Sequence, residues 1–193
     1  MTQTERVIPL ILKLDVRGQP VEWLHWQDAA GHYCRNTVRW SMGERNITLH
    51  GGWRRDTGER SLLHLAPIIA VEDHSHQRGR SLVPRLCRRT LHHRDRGLCM
   101  YCAKHVSYDA MQVEHVVPLS RGGRSVWKNV VCACHRCNHH KGNRLPEEAG
   151  MKLLAVPYAP NVAEYLILSN RRILADQMEF LRVLVPERHR RTA

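Results

Sequence analysis

Two Cys-x-x-Cys pairs, Cys99/Cys102 and Cys134/Cys137, bracket an adjacent acid and imidazole at Glu114-His115. Each pair lets a tight turn aim two sulfurs at one ion. Four thiolates suit tetrahedral zinc, and they leave no ligand position open for water, which marks a structural site. Cys132 competes with Cys134, although a single intervening residue makes a poorer knuckle. Cys34 and Cys87 read as ordinary core cysteines. Glu114, His115 and Asn138 offer a different chemistry. A carboxylate and an amide oxygen are hard donors that suit Mg²⁺ or Mn²⁺. An imidazole titrating near neutrality takes a proton from water as a general base. His139, beside Asn138, is a rival ligand.

These groups need elements to hold them. Gln112–Leu119 alternates as a strand and is stopped by Pro118 and Gly122-Gly123. Val126–Val131 returns antiparallel, and Cys134–Lys141 opens a helix. A basic helix is expected over Arg88–Arg94, and a short one from Pro146-Glu147-Glu148. Upstream, Val7–Leu14 reads as a buried strand, Arg17–Pro20 as a turn, and Trp23–Tyr33 as a short strand followed by a helix over Gln27–Cys34. Val38–Met42 and Asn46–His50 read as strands joined in a hairpin by Gly43-Glu44. Gly51-Gly52 ends that pattern, and Leu62–Val71 is one further strand. Trp23, Trp26, Trp40 and Trp53 are expected in the core of this lobe, and Trp127 in that of the cysteine-bearing segment. Val162–Val185 carries apolar residues at helical spacing, interrupted near Ser169-Asn170.

The fold class expected is α+β. A small N-terminal α+β lobe (1–80) ends in the polar linker Glu72–Arg80. A zinc-bound ββα module (81–150) follows, then a C-terminal helical segment with a basic tail (151–193). The 193 residues, 42% hydrophobic, suffice for one domain or two small ones.

Charge points to the partner. The chain carries a formal +12 with a pI near 9.9. Arg80–Gly150 holds 13 Lys and Arg against 5 Asp and Glu, so the excess gathers around the cysteines. A phosphate backbone is the natural complement. Arg121, Arg124 and Lys141 are the leading phosphate contacts, with Lys128, Arg136 and Arg144 beside them. Arg88, Arg89, Arg94 and Arg96 complete the positive set. Seven cysteines, an odd number at zinc-like spacing, fit a reducing cytoplasm and no disulfide framework. No apolar run approaches a membrane span, and VIPLILKL is too short for a signal peptide.

The segment Cys99–Gly142 resembles the HNH endonucleases, the ββα-metal or His-Me finger nucleases. The resemblance rests on Cys99-Met-Tyr-Cys102, Glu114-His-Val-Val-Pro118, Ser120-Arg-Gly-Gly123, Trp127-Lys-Asn129 and Cys134-His-Arg-Cys-Asn-His-His-Lys-Gly142. Asn143–Met151, and more loosely Gly18–Ala29, look like a bacterial subgroup with a four-cysteine zinc site. The resemblance implies a divalent-metal-dependent endonuclease acting on phosphodiester bonds, with double-stranded DNA as substrate. His115 would be its base, and Glu114 and Asn138 its cation ligands. The cation would stabilise the leaving 3′ oxygen, and the product would carry a 5′-phosphate. Asn129 would brace the loop carrying His115. The family usually has Asp where Glu114 stands. One site per chain implies a nick, and double-strand cleavage implies a homodimer or successive hits. Two rival readings are a non-catalytic zinc-dependent nucleic-acid-binding module and a protein-interaction scaffold using the C-terminal helix.

Overall fold

A computed structural model describes residues 8–72 and 83–187. The fold mixes helices and strands as expected, in small sheets. Its contacts define two compact units among the described residues: 8–72 with 162–187, and 83–161. The helices expected as a separate C-terminal segment thus belong with the N-terminal lobe. The second unit is an insertion in its sequence.

The first unit is built on β1 (Ile11–Asp15), β2 (Pro20–Leu24), β3 (Val38–Met42) and β6 (Ile68–Val71), in the order β2-β1-β6-β3. β1 and β6 run parallel, and the other pairs are antiparallel. Ile11-Leu12-Lys13-Leu14 is buried throughout, because the sheet is covered on both faces. On one face Leu12, Leu14, Ile68 and Ala70 meet α4 (Val162–Ser169) and α5 (Ala175–Leu184) through Ala163, Leu166 and Leu181. On the other, Ile11, Ile69 and Val71 meet Ala29 of α1 (Trp26–Cys34), Leu24 and Leu65. Two side chains lock the helical cover to the sheet. Fully buried Gln177 of α5 donates through Nε2 to the carbonyls of Leu10 (2.9 Å) and Pro67 (2.8 Å). Trp23 Nε1 donates to the Leu166 carbonyl at 3.0 Å.

Several expectations change here. Val38–Met42 is a strand, but it pairs with β6, so Gly43-Glu44 closes no hairpin. The hairpin is instead β4 (Ile47–Trp53) with β5 (Arg60–Leu65). Leu62–Val71 divides at Pro67, whose missing N–H cannot serve a ladder, giving β5 and β6. Gly51-Gly52 does not end a strand. The register steps from His50↔Leu62 to Trp53↔Arg60, one residue extra on β4, so the glycines form a bulge. Any Cβ on Gly51 would lie 2.2 Å from Ser61 Oγ. Trp53, expected in the core, is 69% exposed, and Trp40 is also exposed. The linker expectation falls on residues 73–80, outside the described residues apart from Glu72, and most of the basic tail also lies outside them.

The second unit contains α2 (Arg88–Arg94), β7 (Gln112–His115), β8 (Val130–Ala133) and α3 (His135–Lys141). Leu91, Val106, Met111, Trp127 and Val130 form its core together with Cys99 and Cys132. Residues 146–150 form a turn where a short helix was expected. Arg94, counted among the phosphate contacts, is buried instead. It pairs with Asp95 (2.7 Å) and donates to the carbonyls of Trp127, Val130 and Tyr158. Asp95 in turn accepts from the Cys132 amide at 2.7 Å. The charge is thus fully satisfied, the condition under which a buried ion is tolerated.

Candidate active site and metal centre

The four Sγ atoms of Cys99, Cys102, Cys134 and Cys137 all lie within 4.8 Å of one another. Cys102 and Cys134 are 3.9 Å apart. A tetrahedron with Zn–S bonds of about 2.3 Å requires S···S separations of about 3.8 Å, so the cluster fits one tetrahedral ion. Local backbone explains the arrangement. Ala103 N–H bonds the Cys99 carbonyl to close the first knuckle. Cys134 caps α3, its sulfur accepting from Cys137 N–H at 3.4 Å. Burial pushes the Cys99 thiol up, but the amides of Cys134, Tyr101 and Cys102 outweigh it and bring it down to about 7. Burial and the neighbouring sulfurs push Cys137 the other way. Cys132 stands outside the cluster on β8, in the core. Burial, then the Asp95 charge, push its thiol up to about 12, so it remains an inert neutral group.

The β7–β8 ladder pairs Glu114 with Val131 and His115 with Val130, and α3 follows β8 directly. Glu114 is 7% exposed. Its Oε1 lies 2.6 Å from Nζ of Lys141, the last residue of α3, which is 0% exposed. The same ammonium donates to the His115 carbonyl at 2.9 Å. Lys141 was expected on a phosphate and is not available to one. A buried cation needs a buried counter-charge, and Glu114 supplies it. His115 Nε2 lies 2.9 Å from Ser125 Oγ, a partner the sequence did not single out.

Asn129 clamps the loop between the two strands. It accepts from the Val117 amide (2.9 Å) and donates to the carbonyls of Val117 and Arg124 (both 3.0 Å). Gly123 is required where this loop doubles back, since a Cβ there would meet the Val117 carbonyl oxygen at 1.9 Å. Asn138 is half-buried on α3, one turn before Lys141, and His139 stacks on His135.

The remaining basic candidates divide. Arg121 pairs with Glu148, whose carboxyl it holds below the usual range. Arg144 donates to the carbonyls of His140 and Lys141, capping the end of α3. Arg88 donates to the carbonyls of Tyr108, Asp109 and Met111. Arg124, Lys128 and Arg136 are exposed, and Arg136 lines a cleft of about 400 Å³ with Tyr101, His140 and Lys152. The Tyr101 hydroxyl is buried with no hydrogen-bond partner among the described residues. Burial, then the Glu114 charge, push its ionisation up, so it stays protonated.

A β-hairpin and helix joined to a four-cysteine cluster define the second unit as a ββα finger with its own metal-binding base. Residues 99–154 match the HNH endonuclease family. A stretch of 46 residues is 37% identical to the CRISPR-associated endonuclease Cas9 of Corynebacterium diphtheriae. That match covers 23% of this chain and 4% of that protein. Among the described residues no helix is long and apolar enough to cross a membrane.

Proposed function

We propose that the chain is a divalent-metal-dependent endonuclease hydrolysing phosphodiester bonds in double-stranded DNA by attack of a His115-activated water. The observation that carries this reading is the Glu114-His115 step. It sits at the end of β7, is tied to α3 by Lys141, and is followed by the loop that Asn129 clamps. That framework fixes the imidazole's backbone while Ser125 holds Nε2, which leaves Nδ1 to take the proton from water. Glu114 and Asn138 would hold the catalytic Mg²⁺ or Mn²⁺. Lys141 occupies Oε1 of Glu114, so Oε2 is the oxygen left for the cation. When bound, such a cation supplies charge neutralisation at the phosphate and the leaving 3′ oxygen. Cys99, Cys102, Cys134 and Cys137 would hold a structural zinc, in keeping with their separations and the lowered Cys99 thiol. Arg124, Lys128 and Arg136 are exposed and available to phosphates, as are Arg89 and Arg96. A cytoplasmic setting suits the reduced thiols, and a homodimer would turn nicks into double-strand breaks.

The test is conversion of supercoiled plasmid by the purified chain with Mg²⁺ or Mn²⁺, beside His115→Ala and a chelator control. Nicked or linear product from wild type alone is expected. Binding without cleavage under both metals would favour the rival binding module. Cleavage by His115→Ala equal to wild type would overturn the mechanism.

A further inference from the structure

The β4–β5 ribbon has a solvent face that neither the core nor the candidate active-site chemistry uses. Ile47 and Leu49 on β4 and Leu63 and Leu65 on β5 turn inward to the core. Side chains alternate along a strand, and the bulge at Gly51-Gly52 adds one residue. The opposite face therefore carries Thr48, His50 and Trp53 beside Arg60, Leu62 and His64. Trp53 is 69% and Leu62 52% exposed. The Arg60 guanidinium lies 5.4 Å from the centre of the Trp53 ring, and His64 is pinned by Thr48 Oγ1 at 3.0 Å. Neither strand of the ribbon contains an acidic residue. The ribbon's acids, Glu44, Asp56 and Glu59, sit outside its strands, and Asp56 is neutralised by Arg54 at 2.9 Å. Arg54, Arg55 and Arg60 gather at the distal end.

This combination suits a polyanion that also offers flat apolar surface. A duplex presents phosphates and base edges, whereas an unpaired base presents a ring face on which an indole stacks whatever the sequence. Guanidinium groups beside the indole meet the adjoining phosphates. We infer that the outward face of the β4–β5 ribbon binds a single-stranded stretch of nucleic acid. Trp53 stacks on an unpaired base, and Arg60 and Arg55 contact the flanking phosphates. The inference rests on the reading that the chain acts on nucleic acid, and it gives the first unit a single-strand-binding role separate from the duplex cleavage proposed for the second.

The test uses the full chain carrying His115→Ala, with end-labelled single-stranded and duplex oligonucleotides. Trp53→Ala, the conservative Trp53→Phe and Arg60→Gln are added in turn. Stacking on one base predicts a loss of about 5- to 100-fold in single-strand affinity for Trp53→Ala, largely recovered in Trp53→Phe. Duplex affinity should stay within about twofold, since that partner does not use the ring face. Arg60→Gln should flatten the salt dependence by about one phosphate contact. An unchanged single-strand affinity in Trp53→Ala, an equal loss on both substrates, or no single-strand binding by the parent would each overturn the inference. Plasmid cleavage by wild type, run in parallel, separates the two readings. Trp53-dependent binding without cleavage supports the ribbon site and removes the nuclease mechanism. Cleavage with no Trp53 effect removes the ribbon site alone.

Discussion

Among the described residues are two isolated antiparallel pairs, β4–β5 and β7–β8, built to opposite ends. In β8 every residue is buried, and β7 spends its one buried position on a carboxylate matched to a buried ammonium. In β4–β5 one face is anchored on the core and the other is open, with a tryptophan placed where burial would be expected. A two-stranded sheet is barely stable alone, so each must borrow stability. β7–β8 borrows from a metal-binding cluster and a buried ion pair. β4–β5 borrows from the apolar side chains under its inner face. A pair with one strand wholly buried can hold groups in register, and a pair free on one face can meet a partner.

The contrast breaks most sharply on metal removal. Structural zinc contributes on the order of 10 kcal/mol in small domains, so chelation should unfold the surroundings of β7–β8 and abolish cleavage. β4–β5 should keep its hydrogen-exchange protection. Loss of both pairs together would mean that the units fold as one. Thiolates are the ligand form, and the Cys99 thiol sits below its usual value, so metal uptake should weaken as pH falls through about 7 and Cys99 takes up its proton.

His115→Ala should lower plasmid cleavage about 10²- to 10⁴-fold with little change in melting temperature, because among the described residues its imidazole has one hydrogen-bond partner, Ser125 Oγ. A smaller kinetic effect would put the proton acceptor elsewhere.

Lys141→Met leaves Glu114 buried and unpaired, and should cost about 3–5 kcal/mol in denaturant unfolding of the second unit. A cost as small as that of a surface lysine would show that Lys141 is not the counter-charge.

Asn129→Ala, which frees one amide and two carbonyls of the loop, should cost about 1–3 kcal/mol and slow cleavage together. At the other extreme, Trp53→Ala should leave stability within about 0.5 kcal/mol of wild type, as an exposed site does.

The sequence showed the parts whose cause is local. Cysteine spacing marks the knuckles, the second of them opens α3, and apolar residues at helical spacing mark α4 and α5 with their interruption. It failed where the cause is distant. A lysine closing the site helix reads as a phosphate contact, and only the packing of α3 on β7 turns Lys141 into the partner of Glu114. Gly43-Glu44 has the chemistry of a hairpin turn, but β3 finds β6, some 25 residues onward, because a crossover completes the sheet. Ser125 carries no pattern at all. It matters through one hydrogen bond that the Asn129-clamped loop makes possible.

Because the second unit interrupts the first, the chain's order of manufacture differs from its order of assembly. A ribosome delivers β1 and β6 long before α4 and α5, so Leu12, Leu14, Ile68 and Ala70 wait for their helical cover until the whole finger has been made. The finger, whose residues are contiguous, completes first. The sheet that precedes it closes last, and the nascent protein carries a bare apolar surface in the interval.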